Sequence, residues 1–168
     1  TVQEFVGMIQ WLIYCGRWKT LLFLIKISYY LSSTMSSETG AILITGGAGF
    51  IGSHLARALL SRGQKVTLLL RPGTDKRRIV EGATVVEADI RSEKSVLDTL
   101  KNVNHAGIFH LDASTLRSGV RSSDDEIVQT NFLGTLHLLS GLDHISPRFF
   151  IQTGTFLEYG PSGRPAKE

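Results

Sequence analysis

The junction at residues 41–52 restricts the fold more than any other feature of the chain. There the apolar run Ala41-Ile-Leu-Ile-Thr45 meets Gly46-Gly47-Ala48-Gly49-Phe50-Ile51-Gly52. A short, uninterrupted apolar run that ends at glycines reads as a strand buried on both faces, the pattern of a parallel sheet. Beyond the glycines, Phe50 to Ser61 places Ile51, Leu55, Ala58 and Leu59 at helical spacing, and Gly63 follows as a stop signal. In a strand–turn–helix of this kind the glycines allow a tight reversal, close approach of backbone to a pyrophosphate, and close packing of helix on strand. The free N–H groups and the positive end of the helix at Phe50, Ile51 and Gly52, with Gly46 and Gly49 beside them, would hold the phosphates. A nucleoside-triphosphate loop is excluded, because Ser53 and His54 rather than Lys follow Gly52.

Strand and helix patterns then alternate. Lys65 to Leu70 is the second strand, closed by Arg71-Pro72-Gly73, and Ala83 to Glu87 is a shorter third. Ser92 opens a helix with Val96, Leu97 and Leu100 inward, and Ala106 to Leu111 returns as the fourth strand. Ser123-Asp-Asp-Glu begins a long helix through about Leu142, with Val128, Phe132, Thr135, Leu136 and Leu139 marking its buried face. Arg148 to Thr153 is the fifth strand. Crossover-length helical connections between strands imply a right-handed, doubly wound, parallel α/β sheet. A length of 168 residues suits one core rather than two. The single cysteine, Cys15, allows no internal disulfide, and no Cys/His cluster has metal-ligand spacing, so the fold is expected to hold by packing alone, without metal, in a reducing compartment.

Residues 1–34 stand outside this pattern. They hold both tryptophans, three of the four tyrosines and the only cysteine. Their apolar runs, Phe5 to Cys15 and Leu21 to Leu31, are broken by Gly16-Arg17-Trp18-Lys19 and by Lys26. Neither reaches the roughly 20 residues of a spanning helix. The cations sit in the middle and aromatic residues near the end, unlike a signal peptide. Two readings stay open: an interfacial anchor helix, or sequence foreign to the natural protein, which the start at Thr1 and the position of Met35 favour. The expected division is an extension over 1–34, outside the fold, and one domain over 35–168. Of the net charge of +3, Glu4, Arg17, Lys19 and Lys26 supply +2, which leaves +1 for the domain and gives no nucleic-acid surface.

From about Ala41 to Gly160 the sequence resembles the extended short-chain dehydrogenase/reductases, the NAD-dependent epimerase/dehydratase family. Besides Gly-Gly-Ala-Gly-Phe-Ile-Gly, the resemblance rests on Asp89-Ile90 after the third strand and His110-Leu111-x-Ala113 after the fourth. It also rests on Asn131-x-x-Gly134-Thr135 in the long helix and Tyr159-Gly160 after the fifth strand. It implies a Rossmann-type domain whose cofactor is held by Gly46, Gly49, Phe50, Ile51, Gly52, Asp89, Ile90, Leu111 and Ala113, with Asp89 at the adenine. Taken without the resemblance, Asp89 is equally a helix-entry carboxylate, and His110, on an apolar strand, reads as a satisfied core residue. Asp112 departs from the family, which has a small residue there; a carboxylate so close to the cofactor would be repelled by its phosphates.

NAD-preferring members carry an acidic residue at the end of the second strand, where Leu70 stands here. Arg71 follows, with Lys76, Arg77 and Arg78 close behind, which favours NADP over NAD. The family's hydroxyl residue falls on Thr155, and Asn131 by resemblance helps position the catalytic Lys and a water. None of the four tyrosines, Tyr14, Tyr29, Tyr30 and Tyr159, has Lys four residues on. The implied protein is therefore an N-terminal fragment, inactive alone, of a cytoplasmic, homodimeric epimerase, dehydratase or reductase acting on a nucleotide sugar. A ketone reductase of the same superfamily and a non-catalytic dinucleotide-binding protein are the alternatives.

Overall fold

The computed structural model describes residues 40–101, 105–114, 124–142, 145 and 147–154. Glu38–Phe150 forms one compact unit, and from Ile151 onward the chain is grouped apart from it. The expected boundary at residue 34, Thr155 and Tyr159 lie outside the described residues. In chain order the elements are β1 (Ala41–Thr45), α1 (Phe50–Leu60), β2 (Val66–Leu70), a 3-10 turn (Lys76–Arg78), β3 (Thr84–Glu87), α2 (Glu93–Leu100) and β4 (His105–His110). There follow α3 (Asp124–Ile127), a π-helical segment (Val128–Leu133), α4 (Gly134–Gly141) and β5 (Phe150–Gln152).

The sheet order is β3-β2-β1-β4-β5, and β1 runs parallel to β2 and β4, as β2 does to β3. Every residue of β2 is buried, as are four of the five in β1, which is what strands covered on both faces require. Because side chains alternate, Leu43, Leu69 and Ile108 share one face, where they pack with Val96 and Leu100 of α2 and Leu138 of α4. Ser92 caps α2, its hydroxyl accepting the N–H of Ser95. On α1 the buried residues are Gly52, Leu55, Ala56 and Leu59, whereas Ile51, expected inward, is 39% exposed.

The segment expected as one helix from Ser123 to Leu142 is interrupted by the π turn, and its buried face is not the one that periodicity selects. Thr130, Gly134, Leu138 and Gly141 are buried, while Val128, Phe132, Leu136 and Leu139 are exposed by 51%, 66%, 49% and 43%. The reason is distance of approach. A Cβ on Gly134 would lie 2.8 Å from Ile90 Cδ1, and one on Gly141 would strike Leu100 Cδ1. The small residues lie where the backbone comes close to Ile90 and to α2, and the large apolar stripe is turned outward. Among the described residues no helix is long and apolar enough to cross a membrane.

Candidate functional site

The chain leaves β1 in the middle of the sheet, builds β2 and β3 to one side, then crosses to β4 on the other. Ligands of such sheets bind beyond the carboxyl ends of the strands where the order reverses. Here that crevice lies between the turn after β1 and the loop after β4, and a cleft of about 290 Å³ opens there.

The turn is built as its glycines suggest. Gly46 has φ +68°, and its carbonyl accepts the Gly49 N–H at 2.9 Å. The first bond of α1 is Ser53 N–H to Gly49 O at 3.0 Å, so the amides of Phe50, Ile51 and Gly52 head the helix without intrahelical partners, at its positive end. A Cβ on Gly52 would run into the Gly46 carbonyl, and one on Gly46 would lie 2.8 Å from Asp112 N. Turn, helix and the loop after β4 are therefore in mutual contact. A Cβ on Gly49 would meet only Gly46 O, at 3.1 Å. A dinucleotide pyrophosphate would fit this arrangement: the helix begins with amides that have no partner inside it, and the space at Gly49 is open.

Of the residues expected to hold a cofactor, Gly46, Gly49, Arg71, Asp89 and Ile90 line the cleft, as do Leu111 and Ala113. Phe50, Ile51 and Gly52 do not: Gly52 is buried beneath the turn, and Phe50, 72% exposed, stacks its ring at a tilt on His54. Their contribution is confined to backbone. Asp89 is engaged by Arg91, whose Nε reaches Oδ1 at 2.9 Å and Nη2 reaches Oδ2 at 2.6 Å. The Arg91 hydrogen bond holds the Asp89 carboxyl below the usual carboxylate range. Asp89 is not the helix cap, a place taken by Ser92.

Asp112 also lines the cleft. Burial pushes its carboxyl up, against the opposing attraction of Arg71. His110 is 2% exposed and bonded at both ring nitrogens, to Thr45 Oγ1 at 2.7 Å and Thr135 Oγ1 at 3.0 Å, as a satisfied core residue should be. Burial pushes its imidazole down to about 4. Asn131 sits in the π segment with its amide spent on one backbone residue: Oδ1 accepts the Ser114 N–H at 2.7 Å and Nδ2 donates to Ser114 O at 2.8 Å. Sequence reading missed Thr45, Arg91 and Ser114. Thr45 was signalled only as a polar residue closing an apolar strand, and Ser114 and Arg91 carried no signal. Among the described residues no group of three or more His, Cys, Asp or Glu is placed to hold a metal.

A glycine turn at the switch point of a parallel sheet ordered in this way defines the dinucleotide-binding α/β class. Within that class the chain belongs to the NAD-dependent epimerase/dehydratase family, which its residues 42–168 match. It is 31% identical over 127 residues to a UDP-glucose 4-epimerase of Klebsiella pneumoniae, covering 71% of this chain and 91% of that one. It is 36% identical over 101 residues to a UDP-N-acetyl-alpha-D-glucosaminuronate decarboxylase of Bacillus cytotoxicus, covering 58% of this chain and 31% of the relative. The crystal structure of Thermus thermophilus UDP-glucose 4-epimerase in complex with NAD superposes with a TM-score of 0.57 at 28% identity, over 66% of this chain and 36% of that one. Apart from the Klebsiella protein, the chain thus spans about a third of the length of these relatives.

Proposed function

We propose that this chain is the cofactor-binding part of a nucleotide-sugar epimerase or dehydratase and that its cleft takes NAD. The observation that carries the proposal is the set of three amides at Phe50, Ile51 and Gly52, without partners inside the helix, behind a turn whose Gly49 leaves the approach open. Gly46 and Gly49 would flank the pyrophosphate, and Asp89, Ile90, Leu111 and Ala113 would line the rest of the molecule's path. The nicotinamide, when bound, supplies hydride transfer at its C4. Relatives with nucleotide sugars in their names support that substrate class.

The sequence-based preference for NADP gains nothing from these relatives. The cleft weakens it further, since Asp89, Asp112 and Glu126 line it alongside Arg71 and Arg91, and Arg91 is tied to Asp89. Arg71, exposed at the end of β2, is the one observation on the side of NADP and of the ketone-reductase reading. If it serves a 2′-phosphate, Arg71→Ala weakens NADP more than NAD; an unchanged ratio removes that reading.

Titration calorimetry with NAD tests the site. Gly49→Val should abolish binding, because its side chain would occupy the pyrophosphate approach; equal affinity in wild type and variant would sink the assignment. No Tyr-x-x-x-Lys occurs in the 168 residues, so the chain should show no turnover in a nicotinamide absorbance assay. General acid/base help is worth typically 10²–10⁴-fold. Turnover of a sugar nucleotide at enzymatic rates would refute that reading of the site. Thr155 and Asn131 stay as the proposed hydroxyl and positioning residues, Asn131 acting through Ser114.

A further inference from the structure

The loop Leu111–Ser114 forms one wall of the cleft, and a single file of buried and half-buried hydrogen bonds reaches both of its ends. Asn131 O accepts the Thr135 hydroxyl at 2.8 Å. Thr135 Oγ1 lies 3.0 Å from His110 Nε2, and His110 Nδ1 lies 2.7 Å from Thr45 Oγ1. Thr45 Oγ1 in turn accepts the N–H of Asp112 at 3.3 Å and, at 3.2 Å, that of Leu111, which the Thr45 carbonyl shares at 3.3 Å. At the far end the Asn131 amide grips both backbone groups of Ser114.

Among these bonds the valences are met by one direction through the file. A hydroxyl has one proton to give and two lone pairs. Thr135 gives its proton to the Asn131 carbonyl, a bond to the fourth preceding residue typical of a helical threonine. It must then accept from His110 Nε2–H. A neutral imidazole with Nε2 protonated has Nδ1 as an acceptor, so Thr45 gives its proton there and keeps both lone pairs for the two amides. The opposite tautomer would press three donors on the Thr45 oxygen, which has two lone pairs.

We infer that Thr45, His110 and Thr135 are positioning residues for the cofactor: they fix the Leu111–Ser114 wall through a His110 held as the Nε2–H tautomer. The inference rests on the dinucleotide reading for its ligand, but not for its geometry. Thr45 is the last residue of β1 and adjoins Gly46, so the same hydroxyl ties the wall to the strand that carries the glycine turn. Loss of that hydroxyl should loosen the wall while leaving the sheet, whose ladder bonds are backbone only, in place.

The test uses the full 168-residue chain. The ¹⁵N shifts of His110 in the wild-type protein should show Nε2 protonated; an Nδ1-protonated ring overturns the inference and needs no variant. In Thr45→Val, which keeps the shape, amide exchange of Asp112 should accelerate about tenfold, the equivalent of one hydrogen bond, and that of Leu111, which keeps the Thr45 carbonyl, should accelerate less, with the β2 amides unchanged. NAD affinity should fall by a similar factor, and Thr45→Ser should restore both. Asn131→Ala should accelerate exchange at Ser114 in the same way. Unchanged exchange at these amides, or a uniform acceleration through the sheet, overturns the inference in favour of a merely structural role. If wild type binds no dinucleotide, the proposed function fails, while tautomer and exchange still decide this one.

Discussion

At the scale of single residues, His110 should dominate the acid sensitivity of the fold. An unfolded histidine titrates near 6.5, whereas in the native state burial moves it to about 4. Between those values the unfolded chain binds the extra proton, so stability is fully present above pH 6.5 and is lost as the pH falls towards 4. The loss is about 3 kcal/mol on the scale of 1.36 kcal/mol per pKa unit. Urea unfolding of wild type against His110→Gln should show this slope in the former and its absence in the latter; parallel profiles would remove His110 as the cause. Asp112 works in the other direction. Its carboxyl is raised by burial, so the native state keeps the proton longer and stability declines as pH rises from 3.8 through the raised value. That His110 belongs to the core was readable from its apolar strand. Its partners were not, because Thr45 and Thr135 lie 65 and 25 residues away and side-chain pairing at such separations leaves no local pattern.

At the scale of elements, α3, the π segment and α4 carry two stripes at helical spacing, and hydrophobicity pointed to the wrong one. Period and composition identify an apolar face but do not say what it meets, and here Gly134 and Gly141 needed the close approach. The start of α1 and the Ser92 cap of α2 were legible because caps and glycine turns are local chemistry. Two substitutions separate the stripes. Leu138→Ala, at a fully buried position, should cost about 2–5 kcal/mol in urea unfolding. Phe132→Ser, at a position 66% exposed, should stay within about 0.5 kcal/mol. The reverse ranking would restore the face that periodicity chose. We propose that Val128, Phe132, Leu136 and Leu139 meet a second copy, as in the homodimer expected of the parent enzyme. Sedimentation of wild type against Phe132→Glu checks this: self-association should be lost, and identical profiles would dismiss the interface.

At the scale of the whole molecule, the doubly wound class followed from the alternation of strands and helical patterns, while the cleft needed the strand order, which alternation leaves undetermined. The order matters because β1 lies between β2, built early in the chain, and β4, which arrives much later. If residues 1–34 lie outside the fold, their removal leaves the thermal midpoint of the Glu38–Phe150 unit unchanged; a sharp fall would give them a structural role.

The position of β1 bears also on how the protein comes to be. Closing a loop between Thr45 and His110 spans 65 residues, and pairings so distant in sequence are slow to form. A nascent chain that has emerged only as far as β3 already contains the glycine turn but not the wall that faces it. Competence for a dinucleotide should therefore be the last property gained in refolding, recovered after the helical signal and in step with the docking of β4. A cell that makes this polypeptide would hold, for that interval, a chain whose glycine turn stands without the loop that later closes over it.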